Sequence, residues 1–172
     1  VSAISKMYRD ATGPMLLARL ASAAEVYFIL AEAALNGWAV GDAQTHYNAA
    51  VLASFETWGV GDQYEAYLAG PAAFDGTLEQ LITQKWIASW TAATEAWFDY
   101  RRTGFPALEA GEAARRSALP LRFYYMQDEL TVNESNAMEA VGRLEETAFT
   151  APDGKNSAWS NPWVLQGTGE PY

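Results

Sequence analysis

Few residues in this chain have the type and spacing to do chemistry. The aromatic side chains are the notable excess, with seven Trp and nine Tyr in 172 residues. Trp38 stands where a helical turn is expected, Tyr64 and Tyr67 follow Gly61, and Trp159 and Trp163 lie in a loop-rich tail. A flat ring exposed on a loop can stack on the apolar face of a sugar, burying area at little entropic cost while its polar edge takes a hydrogen bond. The competing role for such rings is to pin irregular chain to the body. With Trp58 at the end of a helix face, the candidate ligand contacts are Trp38, Trp58, Tyr64, Tyr67, Trp159 and Trp163.

Other chemistry has little material. The single histidine, His46, adjoins Tyr47 on a helix and faces away from the core side, so it reads as a surface residue rather than a catalytic base. Asp128-Glu129 and Glu145-Glu146 are sequence neighbours. Glycosidic cleavage needs two carboxylates facing each other across a cleft, which adjacency does not supply. The stretch Asp153-Gly154-Lys155-Asn156 has oxygen ligands but lacks the spaced acids of a calcium loop. No metal site and no cofactor are expected. Phosphate-binding glycine loops and the serine nucleophile elbow are absent from the sequence. Arg101, Arg102 and Arg122 read as structural ties to carbonyls or carboxylates.

Composition narrows the classes further. Half the residues are hydrophobic, which is enough for one packed domain. With 11 basic and 21 acidic residues, the net charge is −10, so nucleic acid and anionic membrane surfaces are poor partners. The absence of cysteine excludes disulfides and thiol chemistry. No apolar run is long enough to span a bilayer as a helix, and no signal peptide is visible. A chain that starts at Val1 reads as a piece of something longer.

These residues must be positioned by helices. Ser22 and Glu25 form a capping box, a stripe through Leu20, Ala24, Tyr27, Ala31 and Ala34 follows, and Asn36-Gly37 supplies the stop. Asp42 caps a second helix whose face runs through Ala43, Tyr47, Ala50, Ser54 and Trp58 to Gly59. The pair predicts an antiparallel hairpin similar to a tetratricopeptide repeat, with no second copy at that period. Asp62 and Glu65 suggest a third cap before residues 63–69, with Gly70-Pro71 as the stop. Thr77 and Gln80 start what reads as one long helix over residues 78–102, bent near Thr91. Tyr27, Tyr47, Trp86, Trp90 and Trp97 are expected in the core. Residues 119–125 read as extended, Asn133 as the cap of a last helix to about Leu144, and residues 145–172 as irregular chain. The fold class is therefore all-α, a tetratricopeptide-like hairpin packed with further helices and followed by a long irregular C-terminal region.

Four ordered blocks resemble the SusD/RagB family. They are E-V-Y-F-I-L-A-E-A at 25–33, D-A-Q-T-H-Y-N-A-A at 42–50, Q-K-W-I-A at 84–88 with E-A-W-F-D-Y-R-R-T-G at 95–104 and Pro106, and L-P-L-R-F-Y-Y at 119–125 with Glu129 and Asn133. Two departures are Tyr125-Met126, where the family has Tyr-Pro, and the lack of a terminal Trp-Trp-Asp. The resemblance covers the C-terminal part of the family, so residues 1–172 read as the C-terminal portion of a SusD-like domain whose N-terminal portion, with its lipid-bearing cysteine, is absent. It implies a non-enzymatic protein on the cell outer membrane, surface-exposed. Such a protein binds oligosaccharides for a SusC-like TonB-dependent transporter, and its membrane contact is a lipid anchor outside this chain. It also implies that Glu32, Gln84, Glu95, Arg101, Arg102 and Arg122 are structural. The alternative is a helical-repeat scaffold holding peptide or protein, which would bury the tryptophans and lack sugar-sized clefts. A glycosidase fragment is a third possibility.

Overall fold

A computed structural model describes residues 18–70 and 72–172. The described residues form seven α-helices and no strand. The chain divides into two compact units, one ending at Asp99 and one starting at Tyr100.

In the first unit, α1 (Ala23–Leu35) and α2 (Ala43–Trp58) form the antiparallel hairpin. Both helices start as local chemistry dictates. The Ser22 hydroxyl accepts from the Glu25 amide at 3.1 Å, and the Asp42 carboxylate accepts from the Thr45 amide at 2.8 Å, so each side chain satisfies an otherwise orphaned amide. Helix α2 ends at Gly59 in the left-handed region, φ +71°. The facing sides carry Ala24, Phe28 and Ala31 from α1 and Tyr47, Ala50 and Val51 from α2, all buried. Small residues let the helices approach, and Phe28 meets Tyr47 edge-on with ring centroids 6.0 Å apart. Tyr47 is fully buried. Its hydroxyl donates to the Ala72 carbonyl at 2.9 Å, and burial pushes its pKa up.

The face of α1 differs from expectation. Phe28, not Tyr27, enters the core, while Tyr27 and Leu20 are exposed. Helix α1 is apolar on nearly every side, so spacing alone does not select the face that packs.

A 3₁₀ turn (Gly61–Gln63) leads into α3 (Tyr64–Leu68). Asp62 lies inside that turn and makes no capping bond, so the expected third cap is not formed. Pro71, read as the stop of this segment, lies outside the described residues. Helix α4 (Leu78–Ala88) starts at Thr77, which accepts from the Gln80 amide at 3.2 Å. The reciprocal half of the box is replaced, because Asp75 takes the Thr77 amide and the Gln80 side chain accepts from the Asp75 amide.

The single long helix expected over 78–102 is two helices. Helix α4 stops at Ala88, a turn holds residues 89–92, and α5 (Ala93–Thr103) restarts. Ser89, Trp90 and Thr91 are poor helix formers in a row, and the amide of Ala92 bonds the Ser89 carbonyl in a tighter turn. Trp90 falls in this turn, and Trp86 lies within α4 before it. Trp86 and Trp90 are exposed, against expectation, while α4 buries Leu81, Ile82, Gln84 and Lys85. Buried Lys85 pairs with Asp99 at 2.7 Å, and Gln84 accepts from the Tyr67 hydroxyl at 3.0 Å.

The second unit has little regular structure beyond α6 (Gln127–Val132) and α7 (Glu134–Gly142). Helix α6 was not foreseen. The last helix starts beside Asn133 as expected, but Asn133 gives no side-chain cap. It donates to Glu129 and accepts from Asn136 instead. Irregular chain must still satisfy its backbone groups, and side chains do so here. Asn156 clamps the extended segment by accepting from the Tyr125 amide and donating to the Tyr125 carbonyl, each at 2.8 Å. Arg101 donates to the Leu121 carbonyl at 2.8 Å. Tyr172 donates to the Leu119 carbonyl at 2.9 Å. Leu121, Ala137, Leu144 and Leu165 form the apolar centre.

Candidate functional site

The second unit contains a groove of about 500 Å³ lined by Arg122, Tyr125, Ala140, Arg143, Leu144, Pro162 and Trp163. Its walls come from three places. The clamped segment supplies Arg122 and Tyr125. The C-terminal end of α7 supplies Ala140, with Arg143 and Leu144 just beyond. The tail supplies Pro162 and Trp163. The tail is held by an isolated antiparallel bridge between Glu145 and Asn161, whose two amide bonds are 3.1 and 2.8 Å.

The side chains differ in how firmly they are fixed. Arg122 donates through Nη1 to the Ser157 carbonyl at 3.0 Å and to Asn156 Oδ1 at 3.3 Å, and its guanidinium lies 4.7 Å from the Tyr125 ring centroid. Burial lowers its pKa. Arg143 is looser, paired only with Glu139 one turn earlier, with both side chains well exposed. Trp163 is 80% exposed. The arrangement is a ring open to solvent beside a fixed ring and two guanidinium donors. It can take a flat-faced ligand with a polar edge.

Of the six expected contacts, Trp163 alone lines this groove. Trp159 packs inward: its indole N–H donates to the Ala118 carbonyl at 2.8 Å, and the Arg116 guanidinium covers its face at 4.0 Å. Trp38 is exposed at the hairpin turn. The face of Trp58 is covered by Arg19 at 4.5 Å. Tyr64 and Tyr67 both pack on Phe55, and their hydroxyls donate to the Asn48 carbonyl and to Gln84. These three first-unit rings therefore make structural contacts. The lining residues not expected as ligand contacts are Arg122, which the sequence reads as a structural tie, and Tyr125, Ala140, Arg143, Leu144 and Pro162. No local sequence signal brings these residues together, because they come from separate segments between residues 122 and 163.

The other candidates are occupied. His46 Nε2 lies 2.7 Å from the Val40 carbonyl, which can only accept, so that nitrogen carries the proton and the ring ties down the hairpin turn. Asp153 accepts from Arg116 at 2.7 Å and from Ser157, and the Arg116 bond holds its carboxyl below the usual range. Asp128, Glu129, Glu145 and Glu146 are all exposed.

The comparisons with known proteins agree with the residue blocks. Residues 1–126 match the SusD-like family described as starch-binding and associating with the outer membrane. Among solved structures, a chitin-binding protein is 33% identical with a TM-score of 0.67, covering 81% of this chain and 32% of its own. A putative outer membrane protein from Bacteroides vulgatus, described as probably involved in nutrient binding, is 28% identical with a TM-score of 0.67 over 86% of this chain and 34% of its own. A chitin-binding SusD homolog from Flavobacterium johnsoniae is 28% identical with a TM-score of 0.64, covering 84% and 36%. The chain thus spans about a third of the length of these structures. No curated protein sequence is similar to it. The chain belongs to the SusD-like family.

Proposed function

We propose that this chain is the C-terminal portion of a non-enzymatic, surface-exposed outer-membrane protein that holds oligosaccharides for a SusC-like TonB-dependent transporter. The observation that carries the reading is the open Trp163 ring at the rim of a 500 Å³ groove in a SusD-like chain. Relatives described as chitin-binding support the ligand class. A sugar ring stacked on an indole gains area burial without ordering a flexible side chain. The peptide-scaffold alternative predicts buried tryptophans and no cleft. The exposed Trp38 and Trp163 and the groove weigh against it.

Titration with chitotriose and maltotriose, followed by tryptophan fluorescence, tests the reading. A saturable shift is expected, and Trp163→Ala should weaken binding by about tenfold or more, the worth of one stacking contact. Trp38→Ala should leave it intact. Silence with every glycan tried, charged or neutral, would sink the proposal.

A further inference from the structure

Charge is unevenly placed in this chain. It carries a net −10, yet the groove is lined by two arginines and no carboxylate. The acids nearest in sequence, Glu139, Glu145 and Glu146, do not line it. The long-range field of an acidic protein is screened within about 8 Å at physiological salt, so a bound ligand senses the groove's own charges first.

The two guanidinium groups are fixed in complementary ways. Arg122 is held by two bonds through Nη1 and stacked on Tyr125, so it presents its charge without reorganising. Its neighbours supply carbonyl and amide oxygens and no carboxylate, leaving a partly desolvated positive charge. Arg143 is held only by Glu139, an exposed pair within one helical turn, with side chains 74% and 63% accessible. Such exposed pairs contribute little to stability. An anion in the groove can therefore take Arg143 from Glu139 at little cost. Trp163 stands on the same groove, available to stack.

We propose that the groove selects glycans bearing a carboxylate or sulfate, with the anionic group between Arg122 and Arg143 and a sugar face on Trp163. The inference rests on the glycan-binding reading and narrows its substrate class. Neutral oligosaccharides bind the same ring without the charge contribution. A carboxylate and a sulfate ester each present at least two charged acceptor oxygens that a guanidinium can bond in parallel, so both are included.

Calorimetric titration of the chain with trigalacturonate, a sulfated disaccharide and chitotriose tests this. The charged glycans should bind more tightly than chitotriose, and their affinity should fall between 50 and 500 mM salt, roughly a threefold shortening of the screening length. Arg143→Gln should weaken them about tenfold, one charge-assisted hydrogen bond's worth, and weaken chitotriose far less. Arg143→Lys should restore part of the loss. Trp163→Ala should weaken both classes. Which charged probe binds more tightly separates a carboxylate ligand from a sulfated one. If chitotriose binds as well as the charged glycans, or Arg143→Gln leaves every affinity unchanged, the charge selectivity is wrong while glycan binding stands. If no glycan of either class binds, both readings fall.

Discussion

Tyr47 shows how much one side chain can carry in the first unit. Its ring packs against Phe28 and lies 4.7 Å from Phe74, and its hydroxyl donates to the buried Ala72 carbonyl. Tyr47→Phe keeps the ring and strands that carbonyl. The expected cost is about 1–2 kcal/mol, seen as a lower urea midpoint at unchanged slope. An unchanged midpoint would mean that water reaches Ala72. The same residue gives an alkaline signature. Burial raises its folded pKa, so the stability it contributes is complete below its unfolded value of about 10 and is lost as pH rises through the folded value. Stability measured from pH 8 upward should fall less steeply in Tyr47→Phe than in the parent chain.

Among the elements, helix ends were the most legible feature. Ser22, Asp42 and Thr77 each sit three residues before the amide they satisfy, and that chemistry is complete within four residues of sequence. The same reasoning fails at Asp62, because the chain tightens into a 3₁₀ turn around it. Helix α2 offers a clean test at its other end. Gly59 holds φ +71°, and a Cβ there would meet nothing within 4 Å. Gly59→Ala should therefore cost about 1 kcal/mol from backbone conformation alone. Thermal or urea unfolding of the variant measures it, and a neutral result would show that α2 can end one residue elsewhere. The break at residues 89–92 was hidden because apolar periodicity runs across it, although three weak helix formers mark the place.

At the scale of the whole molecule, acidity governs the response to pH. Asp153 is held low by its hydrogen bond from Arg116, and Asp42 and Asp75 by bonds from Thr45 and Thr77. A depressed carboxyl contributes stability that is present above its unfolded pKa, about 3.9, and is lost as pH falls through the folded value. The chain should therefore lose stability on acidification below about pH 4, where these groups titrate. Asp153→Asn should flatten part of that acid limb while changing the alkaline limb little. Urea midpoints between pH 7 and pH 3 decide the matter, and an acid limb identical in the variant would remove Asp153 from the account.

Local pattern by itself determined that this chain is helical, where three of its helices begin, that its tail is irregular, and which family its ordered blocks resemble. Those properties depend on neighbours within a few positions, or on residue types in order. The tertiary structure decided which apolar face packs, because α1 offers several and only the approach of α2 chooses Phe28 over Tyr27. It also decided which rings are available. Trp159 and Trp163 are four residues apart in the same loop-rich tail, yet Arg116, more than 40 positions upstream of both, covers one, and the other stays open beside Arg122, Tyr125 and Arg143. A groove assembled from segments between residues 122 and 163 has no local signature, because its walls meet only when Asn156 and the Glu145–Asn161 bridge fold the tail back.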